Sequence, residues 1–149
     1  MAVLALAAAL TLAACAPHPV VPREFARYPS GVIFPGPFRS VSPDGVLFTV
    51  REEANKPRAD LGFWRAAMKT RMGQAGYRVV SDSDFSMQNR SGALLQLAAP
   101  MGDQDHLYWI AFSLSPSGKK ILVAEASGEM KRFLARKEDI RAAMAQTGW

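Results

Sequence analysis

Apolar and polar residues alternate with a period of two over several short stretches of this chain, and recur every three or four positions over two longer ones. The first pattern marks half-buried strands and the second marks helices. Val46-Leu47-Phe48-Thr49-Val50 is short and rich in branched and aromatic residues, which predicts a strand over about 46–51. Leu107 to Leu114 gives the strongest strand signal. Tyr108, Ile110, Phe112 and Leu114 fall on one face, and Leu107 and Trp109 on the other. Apolar residues on both faces predict a central strand covered on both sides. Ser-Pro-x-Gly occurs at Ser42-Pro43-Asp44-Gly45 and again at Ser115-Pro116-Ser117-Gly118. Proline sets φ at the second turn position and glycine permits positive φ near the end. Both are read as hairpin turns, joining strands near 37–41 and 46–51, then 107–114 and 119–126. Tyr77 to Val80, residues 84–89, and Ala93 to Ala99 up to Pro100 predict three further strands, with Arg90-Ser91-Gly92 turning the chain between the last two.

Leu61, Trp64, Met68, Met72 and Ala75 share one helical face, and Asp60 is suited to cap the helix. Gly76 suits its C-terminal end, while Gly73 weakens its last turn. A second helix is predicted over about 130–146, with Phe133, Ile140 and Met144 inward and Glu138 able to pair with Arg141. The order β-β-α-β-β-β-β-β-α predicts an α+β domain: an antiparallel sheet of about 5–7 strands with helices near 60–75 and 130–146 packed on it. This order, the helix start near Asp60 with Phe63-Trp64, Gly76-Tyr77, and Ile121-Leu122-Val123-Ala124-Glu125-Ala126 before Gly128 resemble the PsbP-like α/β/α sandwich over about 38–146. The resemblance implies an exported or lipid-anchored protein that binds or helps assemble other proteins. No functional residue of that family maps onto a position here.

Residues Met1 to Ala14 hold a single polar side chain, Thr11. The run has the length and composition of a signal-peptide core, and is shorter than the roughly 20 residues that span a bilayer. Leu12-Ala13-Ala14-Cys15 resembles the bacterial lipobox. The resemblance implies cleavage before Cys15, a diacylglycerol on its sulfur and an acyl chain, such as palmitate, on its new N-terminus. Ala16, where an aspartate would hold a lipoprotein back, implies an outer-membrane lipoprotein facing the periplasm. The first charged residue is Arg23, so the missing basic start of the leader is expected upstream. Six of the 10 prolines lie between Ala16 and Phe38. Such chain is stiff, at about 3.1 Å per residue. The expected division is a signal peptide over 1–14, a lipidated cysteine and proline-rich tether over 15–36, and one domain over 37–149. Phe25 and Tyr28 suggest that the later tether docks on the domain or the membrane, and Val32-Ile33-Phe34 is read as the first stretch to enter the core.

A single cysteine excludes an intramolecular disulfide. The net charge of +5 is scattered, which fits a solvated basic surface or attraction to anionic lipid better than nucleic-acid binding. Asp103-Gln104-Asp105-His106 offers oxygen and nitrogen ligands but lacks the spacing of a calcium loop. His18 lies in the tether. Ser91 and Ser127 adjoin glycines without a nucleophile elbow, and Glu52-Glu53 and Glu138-Asp139 are too close in sequence to converge as acid and base. Trp64 reads as core, while Trp109 either packs under a helix or lines a groove. No catalytic residue, cofactor or metal is expected, and Cys15 is the one site residue. The resulting expectation is a lipid-anchored protein of the bacterial cell envelope: a non-enzymatic interaction or assembly module whose partners are the membrane and another envelope protein. The alternatives are a small-ligand or metal-binding lipoprotein and a hydrolase of unknown type.

Overall fold

The computed structural model describes residues 16–28 and 36–149. Cys15, the leader and Val32-Ile33-Phe34 lie outside the described residues. In chain order the elements are β1 (Ala26–Arg27), β2 (Phe38–Val41), β3 (Leu47–Ala54), α1 (Leu61–Gln74), β4 (Arg78–Met87), β5 (Arg90–Met101), β6 (Gln104–Leu114), β7 (Lys120–Glu129), α2 (Met130–Ala135) and α3 (Lys137–Gln146). The strands form one antiparallel sheet in the order β1-β2-β3-β7-β6-β5-β4. α1 carries the chain from β3 across to the far edge, and β7 returns to the gap beside β3. The sheet is therefore covered by α1 on one face and by α2 and α3 on the other.

Both Ser-Pro-x-Gly turns form, with Gly45 at φ +88° and Gly118 at φ +65°. In each, the buried serine hydroxyl accepts a backbone N–H across the turn, Val46 to Ser42 at 2.9 Å and Lys120 to Ser115 at 3.1 Å. Asp60 caps α1 by accepting the Phe63 N–H at 2.8 Å. β6 is central and splits its side chains as the alternation predicts. Trp109 and Ala111 join Phe48, Met87, Leu94, Leu122, Phe133, Ile140 and Met144 under α2 and α3. Ile110 and Phe112 join Leu95, Leu97, Ile121 and Val123 under α1.

Five local expectations are corrected. Tyr77–Val80 and 84–89 are one strand, β4, with a bulge between Val79 and Ser81. The hairpin turn is Gln88-Asn89, both at positive φ, so Arg90-Ser91-Gly92 lies within β5. β5 also runs through Pro100. Its neighbour β4 pairs only as far as Ala98, so the missing N–H costs no ladder bond. The final helix breaks at Arg136, whose guanidinium is held by Asp44 and Glu24. Glu138 lies beside Lys137 rather than Arg141, which stacks over Phe85.

The proline-rich stretch 16–28 lies on the domain. Phe25 is buried in the α2–α3 core, and β1 extends the sheet by two residues. His18 forms a backbone bridge to Gly148, and Arg23 reaches Asp139 at 2.9 Å. Proline stiffness favours extended chain but does not prevent it from lying against a surface that supplies partners for its N–H groups.

α1 is fastened to the sheet edge by charge. Arg65 bonds Asp82 and Asp84, and Lys69 reaches Asp82 at 2.7 Å. Partial burial raises the Asp82 pKa, but hydrogen bonds from Lys69 and Arg65 outweigh it and hold the carboxyl below its ordinary 3.8. A carboxyl lowered by folding stabilises the fold above its unfolded pKa, and that contribution fades as pH falls through the folded value. Asp82→Asn is therefore expected to cost about 1 kcal/mol near neutral pH. The gap to the parent should close as pH drops below 3.8, which thermal unfolding across pH will show.

Candidate functional site: the groove between α1 and β3

α1 lies over β4 and β5 and leaves the β3–β7 half of its sheet face partly open. Two adjoining depressions of about 280 and 410 Å³ occupy the gap. Trp64, Met68 and Met72 form the helix wall, Ile121 and Val123 the floor, and Arg51 and Glu53 the β3 wall.

Strand register explains how its polar centre forms. Arg51 stands opposite Val123 on β7, and Tyr108 opposite Ser127, so both are diagonal neighbours of Glu125 on the same face. Arg51 donates Nε to Glu125 Oε2 at 3.2 Å and Nη2 to Oε1 at 3.0 Å. The Tyr108 hydroxyl donates to the same Oε1 at 2.6 Å. Arg51 Nη1 also bonds Glu53. The bidentate geometry fixes a planar pair, stronger than a single neutral hydrogen bond. The hydrogen bonds that Glu125 accepts raise the Arg51 pKa further. Burial, then the bond to Glu125, pushes the Tyr108 phenol well above its ordinary value. Both groups keep their protons across the physiological range. This centre presents fixed charge and is poorly suited to exchanging protons. Arg71 stands at the groove with no ion pair among the described residues.

Sequence reasoning placed none of these three polar residues in a site. A signal was present in Glu125, a carboxylate interrupting the apolar run Ile121 to Ala126. Trp64 is half-buried, donates Nε1 to the buried Asn55 at 2.7 Å, and borders the groove as well as the core. Trp109 is buried and packs edge-on against Phe133 of α2, with ring centres 5.1 Å apart. Gln104 to His106 belong to β6, where alternation turns Asp105 and His106 to opposite faces. The buried Nδ1 of His106 meets no hydrogen-bond partner among the described residues. Ser127 lines a cavity of about 320 Å³ with it, and Ser91 lies far off at the other end of the sheet. Glu52 is tied to Lys120 and Glu53 to Arg51. No group of three metal-ligating side chains occurs among the described residues. No helix among them is long and apolar enough to cross a membrane.

No family model matches the chain, and no curated protein matches it. Solved structures do. LpqN of Mycobacterium tuberculosis, described as involved in cell envelope biogenesis, is 14% identical with a TM-score of 0.66, covering 88% of this chain and 81% of its own. The Saccharomyces cerevisiae Ran-binding protein Mog1p is 13% identical with a TM-score of 0.58, covering 86% and 82%. The cyanobacterial PsbP of Synechocystis is 9% identical with a TM-score of 0.54, covering 97% and 98%. At such identity the likeness concerns the fold: a seven-stranded antiparallel sheet with helices packed on it, as in PsbP-like proteins.

Proposed function

We propose that this chain is a lipoprotein of the bacterial cell envelope, acylated at Cys15, whose domain is a non-enzymatic module that docks a segment of another envelope protein in the groove between α1 and β3. The observation that carries the docking reading is the groove itself. It joins Trp, Met, Tyr and Arg side chains, the types enriched where proteins meet, to a preset Arg51–Glu125–Tyr108 centre. Methionine walls adapt to varied partners. The locked protons of Arg51 and Tyr108 favour recognition over acid–base chemistry. The description of LpqN supports an envelope role, and that of Mog1p supports protein binding on this fold. The lipobox resemblance at Leu12-Ala13-Ala14-Cys15 supports the anchor.

The test uses a photo-crosslinking amino acid in the full chain within intact cells. Placed at Met68, it is expected to give a discrete adduct that Glu125→Ala abolishes; placed at the exposed Leu134 of α2, it is expected to give none. Equal adducts from both positions would overturn the groove as the docking site. Cys15→Ser is expected to move the protein from the membrane to the soluble fraction, and unchanged retention would overturn the anchor.

A further inference from the structure

We infer that one end of the sheet rests directly on anionic phospholipid head groups through Lys56, Arg58, Arg90 and Lys119; this builds on the lipid anchor at Cys15 proposed above. The spacer is the first observation. His18 donates its N–H to the Gly148 carbonyl at 2.7 Å, and Val20 donates to Thr147 Oγ1 at 3.1 Å. Only Ala16 and Pro17 separate Cys15 from that fastened segment. Three residue steps reach at most about 11 Å. The proline-rich chain therefore cannot act as a long stalk while these bonds hold, and the acylated end keeps the domain near the bilayer.

The second observation is what lies at that end. Gly148 packs against Gln88 of the β4–β5 turn, whose N–H bonds Ala145. Beside it are the β6–β7 turn and the segment leaving β3. Asn55 stitches these together, donating its backbone N–H to Lys119 O and Nδ2 to Gly118 O, both at 2.9 Å. Arg58 reaches Ser117 O at 3.1 Å, and Arg90 reaches Leu114 O at 3.3 Å. Among the described residues none of Lys56, Arg58, Arg90 and Lys119 makes an ion pair. The nearby acids are spoken for: Glu52 by Lys120, Glu53 by Arg51, and Asp60 by the α1 N-terminus. At the opposite end of the sheet Asp103 and Asp105 offset Arg78 and Lys131, and none of these four makes an ion pair among the described residues. Attraction to anionic lipid decays over about 8 Å at physiological salt, which is within the spacer's reach. The end that the anchor brings to the surface is thus the one with uncompensated positive charge.

The single native cysteine makes the test clean, because lipid occupies its sulfur and an introduced cysteine is the one free thiol. Ser117→Cys marks the basic end. Asp103→Cys marks the opposite one, about 33 Å away along strands of this length. Each lipidated full-length variant is labelled with a fluorophore and reconstituted into phosphatidylethanolamine–phosphatidylglycerol vesicles carrying a head-group nitroxide quencher. The Ser117 label is expected to be quenched severalfold more than the Asp103 label. Adding Arg58→Glu and Lys119→Glu should lower that quenching at least twofold while the protein still floats with the vesicles. Failure to float would overturn the anchor itself. Flotation with equal, weak quenching at both ends would leave the anchor standing and overturn the direct seating. Quenching at Ser117 that ignores the charge reversals would overturn the role of the four basic residues.

Discussion

Phe133→Ala is expected to cost about 3–5 kcal/mol, a large share of the roughly 5–15 kcal/mol that holds a domain of this size together. Phe133 is fully buried and is the one buried residue of α2. Its ring meets Trp109 on the central strand at 5.1 Å and 64°, an edge-on pairing. Such a pair adds about 0.5–1.5 kcal/mol beyond area burial. Alanine would lose the transfer term, the pairing and the anchor that keeps α2 on the sheet. The cavity would open beside Trp109 and the well-packed Ile140 and Met144, which cannot collapse into it without moving α3. Phe133→Leu keeps most of the volume and should cost less than half as much. Urea unfolding of the three proteins checks this, read as a falling midpoint at constant slope. A loss under about 1 kcal/mol for the alanine variant would mean that α2 does not pack as described.

Gly92→Ala is expected to destabilise by about 3 kcal/mol, whereas Gly73→Ala should stabilise by about 0.5–1 kcal/mol. The composition change is the same and the sign is opposite. A Cβ on Gly92 would lie 2.5 Å from the Phe112 carbonyl oxygen and 3.0 Å from that of Phe85. Those atoms belong to the backbones of β6 and β4, so relief requires moving two strands. A Cβ on Gly73 meets nothing within 4 Å, and the position is helical. There the methyl group simply removes the conformational freedom that glycine retains in the unfolded chain. Thermal unfolding of both variants decides the matter. Equal effects would show that the strands around Gly92 stand further apart than described.

These two glycines illustrate where local reading works. Gly73 sits in a periodic apolar stripe between a capping Asp60 and a terminating Gly76, so its helical cost is readable from neighbours a few positions away. Gly92 resembles any other glycine beside serine and arginine, and reads as a turn. What decides its conformation is the pair of strands on either side, and the turn is supplied instead by Gln88-Asn89. The same holds for the proline-rich segment. Its composition speaks for stiffness, but only the surface of α3, with Gly148, Thr147 and Asp139 placed to meet it, decides that it lies down. The groove is the extreme case. Arg51 and Glu125 are 74 residues apart, and they meet because β7 inserts next to β3.

The chain's own pattern was enough for the α+β class, the two hairpin turns, α1 with its caps, and the two-faced central strand β6. Each of these rests on interactions between residues within a few positions, where period, caps and turn chemistry act. Strand order, the half-open face beside α1 and the charged centre within it were decided by tertiary structure. They depend on which distant strands become neighbours, and that is set by the burial of whole faces rather than by any local signal.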